Sequence, residues 1–429
     1  MAEEVIIAHE STSLSGDVEV AGAKNSALKL MAAALLVEGT THLSNVPIIS
    51  DITIMAEVLH LLGAQVQRDG HELTIDATEV DRFETPYELV TKMRASISVL
   101  GPLVGRFGRA QVSMPGGCQI GARKIDMHLV GLEQLGVHFE VDHGYLVATT
   151  PNGLHGGNIF LEFPSVGATE NTMMAGCVAE GTTIIDNAAR EPEIEDLANM
   201  LNAMGAHITG AGTPSIKIEG VERSQMHACE HRTVGDRIEA GTFLVGGALL
   251  GGPLTVHGIN PAHLRMAIMK LEAMGCQVTT GENEITVSRT QDLRATDIQT
   301  LPHPGFPTDL QAQFMLLASL AQGSSIITEN VFENRFMFAG ELARMGAQIT
   351  IDDHHAIVSG VKRLQGAPVE ATDLRAGGAL VLAGLAAEGE TMVRKVEHID
   401  RGYEHYVEKL ASLGAKIERT TIPTIAAFN

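Results

Sequence analysis

Apolar and polar positions follow one repeating order along the chain, in which two helical patterns alternate with short strand-like stretches. The second helical pattern of each unit is amphipathic and closes on Leu or Met, then Gly, then a small residue. This closing phrase occurs at Leu62-Gly63-Ala64, Leu135-Gly136-Val137, Met204-Gly205-Ala206, Met274-Gly275-Cys276, Met345-Gly346-Ala347 and Leu413-Gly414-Ala415. Six units of about 70 residues therefore fill the chain. Glycine at this place predicts a left-handed helix cap.

The first helical pattern of each unit is apolar on nearly all sides, which predicts a buried helix. These patterns cover residues 32–36, 97–104, 173–178, 243–250, 314–320 and 379–386. The strands that follow them predict α/β units and argue against an all-β propeller. The simplest arrangement is two lobes of three units each, with the buried helices inside and the sheets outside. The least regular stretch, residues 221–234, is the predicted boundary between them.

Composition narrows the possible functions. The formal charge of -22 argues against a general binder of nucleic acid or anionic membranes, because both need a basic face. An anionic substrate would need a local cluster of Arg and Lys. The acidic N-terminus lacks the pattern of a signal peptide, and no apolar stretch reaches membrane-spanning length. Four cysteines without a CxxC pair predict neither a disulfide framework nor a structural zinc site. We therefore expect a soluble cytoplasmic protein.

Polar residues stand a few positions ahead of each buried helical pattern. The six starts are Gly22-Ala23-Lys24-Asn25, Met93-Arg94-Ala95, Ser165-Val166-Gly167, Asp236-Arg237-Ile238-Glu239, Phe306-Pro307-Thr308-Asp309 and Asp373-Leu374-Arg375. Helix N-termini attract anions through free N–H groups and the helix dipole, so these starts predict anion binding. The alternative is that the polar residues only cap their helices.

The stretch from 114 to 124 combines a thiol, flexible glycines and two cations. Cys118 is followed by Arg123 and Lys124, and neighbouring cations favour a reactive thiolate. The alternative is a glycine turn around a buried cysteine. The segment from 116 to 121 has GxxxxG spacing, but Ala122 occupies the position of the P-loop lysine, so ATP-driven chemistry is not indicated.

Asp309 is the leading candidate for a general base, because an aspartate at a helix start near cations can accept a hydroxyl proton. Its alternative role is a cap on the following helix. Arg335 and Arg401 lie in charged turns that are otherwise typical of surface loops. The chain contains no HExxH or comparable ligand cluster, so no catalytic metal is predicted.

Several of these stretches together resemble the UDP-N-acetylglucosamine enolpyruvyl transferase family. They are GAKN at 22–25, KMRAS at 92–96, PGGCQIGARKID at 115–126, SVGATEN at 165–171, DRIEAGTF at 236–243, FPTDLQAQF at 306–314, ENRF at 333–336, DLRA at 373–376 and IDRGYE at 399–404. The resemblance runs through nearly the whole chain. Lys124 departs from the family pattern, where proline is common, and so does Phe163-Pro164 ahead of Ser165, where some members carry a basic residue.

The resemblance implies a two-lobed, inside-out α/β barrel with the active site between lobes of three repeats each. Lobe one would span 23–231 and carry the Cys118 loop, while lobe two would comprise 1–22 plus 232–429 and carry Asp309. The implied reaction transfers the enolpyruvyl group of phosphoenolpyruvate to the 3-hydroxyl of UDP-N-acetylglucosamine and releases phosphate, the first committed step of peptidoglycan synthesis. No metal, organic cofactor, nucleic acid, membrane or obligate protein partner is implied.

The resemblance also implies roles for single residues. Cys118 corresponds to the proton donor, which can also form a phospholactoyl adduct and is the target of fosfomycin. Asp309 corresponds to the proposed base. The implied phosphoenolpyruvate contacts are Lys24, Arg123 and Arg401, with Arg335 and Arg375 as helpers. The other implied substrate contacts are Asn25, Arg94, Lys124, Ile125, Asp126, Met127, Ser165, Val166 and Val331.

Two alternatives remain open at the level of the sequence. Another enolpyruvyl transferase acts on shikimate 3-phosphate, although Cys118 and the SVGATEN stretch argue against that acceptor. The six repeats could also form a binding scaffold without catalytic activity. That alternative predicts missing catalytic positions, whereas Lys24, Cys118, Asp309 and Arg401 are all present.

Overall fold

The computed structural model of the protein describes residues 2–85, 94–113 and 125–423, without the side chains of residues 94–96. These residues form twelve α-helices, two in each predicted repeat. The helices are α1 (Lys24–Ala33), α2 (Ser50–Leu61), α3 (Leu100–Phe107), α4 (Asp126–Glu133), α5 (Val166–Gly176), α6 (Pro192–Ala203), α7 (Arg237–Leu250), α8 (Arg265–Ala273), α9 (Gln311–Leu320), α10 (Ala339–Arg344), α11 (Leu374–Ala386) and α12 (Tyr406–Ser412). The described chain divides into two compact units, each of which contains three of the six repeats. From here on, a unit is one of these two halves and a repeat is one of the six segments of about 70 residues.

The first unit contains the described residues between 22 and 234 and holds three four-stranded sheets. Its strands, numbered along the whole chain, are β3 (Thr40–Ser44), β4 (Gln65–Asp69), β5 (Glu72–Asp76), β6 (Glu84–Thr85), β7 (Arg109–Ser113), β8 (His138–Asp142), β9 (Tyr145–Thr149), β10 (Asn158–Phe160), β11 (Thr182–Asp186), β12 (His207–Thr209), β13 (Ser215–Glu219) and β14 (Glu230–Arg232). The sheet orders are β14-β3-β5-β4, β6-β7-β9-β8 and β10-β11-β13-β12. In each sheet the first two strands are parallel and the other pairings are antiparallel.

The second unit contains residues 2–21 and 235–423. Its strands are β1 (Ala2–His9), β2 (Gly16–Glu19), β15 (Leu254–His257), β16 (Gln277–Thr280), β17 (Glu284–Ser288), β18 (Ile298–Gln299), β19 (Ser324–Thr328), β20 (Gln348–Asp352), β21 (His355–Ser359), β22 (Leu364–Gln365), β23 (Pro368–Glu370), β24 (Ala387–Glu388), β25 (Glu390–Arg394) and β26 (Ile417–Pro423). They form the four-stranded sheets β2-β15-β17-β16, β18-β19-β21-β20 and β23-β25-β1-β26, and the short pair β22-β24. The pattern of parallel and antiparallel pairs repeats that of the first unit.

Three strands complete sheets whose other strands are distant in the sequence. Strand β14 follows the third repeat but pairs in parallel with β3 of the first repeat. Strand β2 precedes the first repeat and pairs with β15 of the fourth. Strand β1 lies between β25 and β26, with Ile6 opposite both Val393 and Arg419. In each unit, therefore, at least one sheet is completed by a strand that comes from outside the repeat to which the other strands of that sheet belong.

The first helix of each repeat is buried, as predicted from its apolar pattern. In α7 every residue from 237 to 249 is buried, and α7, α9 and α11 contact one another. The sheets carry one buried face, as in β5, where Leu73 and Ile75 are buried and their neighbours are more exposed. These buried residues form one apolar core in each unit. The α/β arrangement with helices inside each unit is thus confirmed.

Several buried helices begin earlier than the apolar pattern indicates. Helix α5 begins at Val166 rather than at the predicted residue 173. The apolar pattern misses the first turns of this helix because they carry buried polar residues. Among them, Asn171 is satisfied by hydrogen bonds to the Gly101 N–H (2.7 Å) and the Ile97 carbonyl (3.0 Å). A buried polar group that is paired is compatible with a core helix, although it hides the helix from an apolar pattern.

The six glycines of the closing phrase adopt the predicted left-handed conformation. Their φ values are 105° at Gly63, 92° at Gly136, 102° at Gly205, 96° at Gly275, 95° at Gly346 and 96° at Gly414. In every case the N–H of the residue after the glycine donates to the carbonyl five residues earlier, at 3.0–3.2 Å. This is the bond that closes a Schellman cap. One local device therefore ends the second helix of all six repeats.

The described residues contain neither a membrane-spanning helix nor a cluster of metal ligands. None of the described helices combines the length and apolarity needed to cross a membrane. Within the same residues, no group of three or more His, Cys, Asp or Glu side chains is arranged to hold a metal ion.

Candidate active site

Asp309 lies between two arginines of the second unit. It is the middle residue of the 3-10 helix Thr308–Leu310, which leads directly into α9. Its Oδ1 accepts a hydrogen bond from Nη2 of Arg335 at 3.0 Å, and its Oδ2 accepts from Nε of Arg375 at 3.3 Å. The Asp309 side chain is 24% exposed, against 4% for Arg335 and 2% for Arg375. The arrangement is a partly open carboxylate backed by two buried cations.

The two arginines hold donors that the described chain does not use. Nη1 of Arg335 and Nη1 of Arg375 are both buried and have no hydrogen-bond partner among the described residues. Burial is the largest single influence on the Arg375 guanidinium and opposes its charge, but Asp309, Tyr403 and Asp236 together outweigh burial and raise the pKa. Buried polar groups are normally paired, so unused donors on charged guanidinium groups are suited to an anionic ligand.

A buried network holds Arg375 in place. Nε2 of Gln313 lies 3.2 Å from the Arg375 carbonyl oxygen and 3.2 Å from the Tyr403 hydroxyl, which in turn lies 3.0 Å from the hydroxyl of Thr242. The Arg375 guanidinium also stands over the Tyr403 ring, 5.5 Å from its centroid. Burial raises the pKa of the Tyr403 phenol, which keeps its hydroxyl protonated. The sequence motifs contain all three partners, but sequence reasoning assigned none of them a role.

Lys24 forms a buried ion pair in the first unit. It is the first residue of α1, and its Nζ lies 2.7 Å from Oδ2 of Asp51 at the start of α2. The two side chains are 9% and 2% exposed. Asn25 follows Lys24 and is half-buried. Lys24 belongs to a motif that was visible in the sequence, whereas Asp51, 27 positions later, belongs to none of those motifs.

Two further predicted segments of the first unit meet through Asn171. Ser165 caps α5 and Val166 is its first residue, while Asp126 and Met127 begin α4 directly after Ile125. Nδ2 of Asn171 on α5 lies 2.9 Å from Nδ1 of His128 on α4. The predicted residues at the starts of α4 and α5 thus belong to two helices that are held together.

Three of the six polar helix starts are caps, which was the alternative interpretation. The Ser165 hydroxyl accepts from the Ala168 N–H at 3.3 Å. Oδ1 of Asp236 accepts from two N–H groups of α7, and Oδ1 of Asp373 accepts from two of α11, at 2.8–3.0 Å. Asp309 differs, because both of its carboxylate oxygens are engaged by guanidinium groups.

The remaining predicted residues lie in separate places in the chain. Val331 is half-buried, and its N–H donates to Oε1 of Glu329 at 2.8 Å. Arg401 is half-buried at the end of the 3-10 helix Val396–Arg401. Cys118, Arg123, Lys124 and the side chain of Arg94 lie outside the described residues.

Comparison with known proteins identifies the family. The sequence profile described as EPSP synthase (3-phosphoshikimate 1-carboxyvinyltransferase) matches residues 8–410. The UDP-N-acetylglucosamine 1-carboxyvinyltransferase of Mycobacterium tuberculosis (strain CDC 1551 / Oshkosh) is 52% identical over 419 residues, which cover 98% of this chain and 99% of that one. The protein of the same name from Actinobacillus pleuropneumoniae serotype 5b is 53% identical over 96% of this chain and 97% of its own length. The chain belongs to the UDP-N-acetylglucosamine 1-carboxyvinyltransferase family. The resemblance drawn from the sequence motifs is confirmed.

This chain has the same fold as solved structures of enolpyruvyl transferases. The enolpyruvyl transferase NikO from Streptomyces tendae is 30% identical and has a TM-score of 0.89, covering 99% of this chain and 100% of its own. An EPSP synthase from Acinetobacter baumannii has a TM-score of 0.75 at 18% identity, covering 97% of this chain and 100% of its own, which shows the shared fold alone. The predicted fold class and membership among enolpyruvyl transferases are both confirmed.

Proposed function

We propose that the protein transfers the enolpyruvyl group of phosphoenolpyruvate to the 3-hydroxyl of UDP-N-acetylglucosamine and releases phosphate, in the first committed step of peptidoglycan synthesis. The observation that carries this proposal is the identity of about half of all positions, over nearly the full length, with relatives that bear this activity in their names. The cluster of Asp309, Arg335 and Arg375 supports it, because the reaction needs a base beside cations.

The reaction proceeds by addition and elimination. In the addition, the sugar 3-hydroxyl loses its proton and its oxygen bonds to C2 of phosphoenolpyruvate, while C3 gains a proton. In the elimination, C3 returns a proton and the C2–O bond to phosphate breaks, which leaves the enol ether. The elimination moves negative charge onto the departing phosphate, so fixed cations stabilise that step, and they also hold the anionic groups of phosphoenolpyruvate in place.

In the second unit we assign Asp309 the role of base for the sugar hydroxyl. Its partial exposure leaves room for a hydroxyl, and its two guanidinium partners compensate its charge. The unused Nη1 donors of Arg335 and Arg375 suit the phosphate or carboxylate of phosphoenolpyruvate. We assign Arg401 the same kind of contact.

In the first unit we assign Lys24 to phosphoenolpyruvate, with Asp51 holding its ammonium in place. Cys118 is proposed as the proton donor to C3 and Arg123 as a further anion contact. The proposed contacts to the nucleotide sugar are Asn25, Arg94, Lys124, Ile125, Asp126, Met127, Ser165, Val166 and Val331.

We further propose that the enzyme acts in the cytoplasm without an obligate protein partner. Both proposed substrates are water-soluble anions, so neither a membrane nor a nucleic acid is needed for the reaction. Two lobes, residues 23–231 with Cys118 and residues 1–22 plus 232–429 with Asp309, would carry the catalytic groups.

The test is phosphate release from phosphoenolpyruvate, with UDP-N-acetylglucosamine as acceptor in one series and shikimate 3-phosphate in another. We expect release with the nucleotide sugar alone. Asp309→Asn should lower kcat by about 10²- to 10⁴-fold, because it keeps the shape of the side chain but removes the base.

The matched control is Asp353→Asn, an exposed aspartate of the second unit whose Oδ2 lies 3.0 Å from Nδ1 of the neighbouring His354. It should leave turnover within about twofold of the wild type, as expected for a surface substitution. Release with shikimate 3-phosphate instead would reassign the acceptor. No release with either acceptor from folded protein would contradict the proposed function.

A further inference from the structure

Glu329 is a buried carboxylate that accepts four hydrogen bonds in the second unit. It directly follows β19 and is 4% exposed. Its Oε1 accepts from the Thr300 hydroxyl at 2.9 Å and from the N–H groups of Val331 and Phe332 at 2.8 and 3.1 Å. Its Oε2 accepts from the Thr308 hydroxyl at 2.9 Å. One side chain therefore organises three separate segments.

Two of those segments carry Asp309 and Arg335, which form an ion pair in the candidate active site. Thr308 immediately precedes Asp309 on the same 3-10 helix. Val331 and Phe332 begin the turn that reaches Arg335, whose Nη2 donates to Oδ1 of Asp309 at 3.0 Å. Glu329 thus joins the turn of Asp309 to the turn of Arg335 through contacts that are separate from their ion pair. The result is a closed ring of contacts that includes the Asp309 carboxylate.

The third segment anchors this ring to the sheet. Thr300 follows β18, the strand that runs parallel to β19, and its N–H donates to the Thr328 carbonyl at 2.9 Å. The Thr300 hydroxyl also accepts from the Asn330 N–H at 2.9 Å, and its carbonyl accepts from the Asn330 side chain at 3.0 Å. The ring therefore stands on the ends of two paired strands, which are stiffer supports than a free loop.

We propose that Glu329 is a positioning residue for the transferase reaction: its carboxylate sets the Asp309 turn against the Arg335 turn and so fixes the base beside its guanidinium partner. The inference rests on the proposed function for its catalytic meaning and on the contacts above for its geometry. Glu329 touches no reacting atom in this proposal. It acts through Thr308 on one side and through the Val331 and Phe332 N–H groups on the other.

The test removes one contact and leaves the shape of the site unchanged. Thr308→Val is isosteric and deletes the hydroxyl that donates to Glu329, whereas Thr308→Ser keeps a hydroxyl. We expect Thr308→Val to lower kcat about tenfold or more with both KM values within about threefold, because a small misplacement of a catalytic group costs turnover. Thr308→Ser should recover most of kcat.

The matched control is Thr255→Val on β15, which deletes a single hydroxyl contact of the same length, 2.9 Å to Thr286, in another sheet of this unit. It should leave kcat and both KM values unchanged. If Glu329 only stabilises the loop and does not position Asp309, Thr308→Val would have the same kinetics as this control. It would then change the melting temperature alone. That outcome, with an active wild type, overturns the inference.

A crystal structure of the Thr308→Val protein separates this inference from the proposed function. We expect the Asp309 to Arg335 contact to lengthen beyond hydrogen-bonding distance, whatever reaction the enzyme catalyses. A wild type without transferase activity would contradict the proposed function. The Asp309 to Arg335 distance in the variant would still show whether Glu329 positions Asp309. A contact that stays near 3.0 Å in that variant overturns the positioning role.

Discussion

Single cysteines of this chain differ in chemical reactivity because of their surroundings. Burial raises the pKa of Cys177 to about 12 and that of Cys276 to about 11. Burial and the nearby Glu230 also raise the pKa of Cys229. Thiolates are the reactive form, so these three side chains are poor nucleophiles at neutral pH. Arg123 and Lys124 follow Cys118 five and six positions later in the sequence, and we expect these cations to favour its thiolate.

We therefore expect iodoacetamide at pH 7.5 to modify one cysteine of the native protein, at Cys118. Mass spectrometry of the intact chain should show a single adduct, and Cys118→Ser should show none on the same timescale. Urea-unfolded protein is the control, in which all four cysteines should react. Comparable labelling of Cys177, Cys229 or Cys276 in the native state would contradict this expectation.

At the scale of residues, the sequence indicated charged groups but not their partners. Lys24, Asp309, Arg335 and Arg375 stand in short motifs, so their types and spacing were visible. Asp51 lies outside those motifs, and the fold alone brings it to 2.7 Å from Lys24. Glu329 was equally hidden, since its four contacts come from residues two to 29 positions away. Pairing of this kind depends on three-dimensional packing that no local pattern encodes.

At the scale of elements, the glycine caps were predictable because their cause is local. Only glycine adopts a positive φ without steric cost, so a glycine after an amphipathic pattern marks the end of a helix. The starts of the buried helices were less predictable. Polar side chains such as Asn171 lie inside the core there and interrupt the apolar pattern. Strand β1 was also beyond local patterns, because its partners are more than 380 residues away.

The glycine cap of α10 offers a stability test with an internal control. Gly346 has φ of 95°, and an added Cβ would meet no atom within 4 Å, so a substitution there meets backbone strain alone. We expect Gly346→Ala to lower the free energy of unfolding by about 1–2 kcal/mol, the usual cost of a left-handed residue with a Cβ. Urea unfolding followed by circular dichroism measures this change.

The control is Gly340→Ala, in the same helix and equally open around the added Cβ. Its φ lies outside the positive range, so alanine should raise the free energy of unfolding by up to about 1 kcal/mol through helix propensity. Equal effects of the two substitutions would show that the left-handed conformation of Gly346 is not what demands glycine there.

At the scale of the whole molecule, the described residues of each unit include a buried glutamate beside a lysine. Oε2 of Glu170 in the first unit lies 2.6 Å from Nζ of Lys29, and Oε1 of Glu239 in the second lies 2.7 Å from Nζ of Lys409. Burial raises the pKa of each glutamate to about 7, against the opposing effect of its lysine. A carboxyl group whose pKa is higher in the folded chain than in the unfolded chain binds protons preferentially when folded.

The sign of the resulting pH dependence follows directly. The contribution of Glu170 to stability is fully present below its unfolded pKa, near 4.5, and is lost as the pH rises through about 7. A shift of this size corresponds to about 3 kcal/mol. Glu170→Gln removes the titration, so its free energy of unfolding relative to the wild type should rise by that amount between pH 4.5 and pH 7.5. The exposed Glu140 on β8 provides the control, since Glu140→Gln makes the same chemical change outside the core. A constant difference between Glu170→Gln and the wild type across this range would mean that Lys29 keeps Glu170 ionised throughout, and that the ion pair rather than burial governs this carboxyl group.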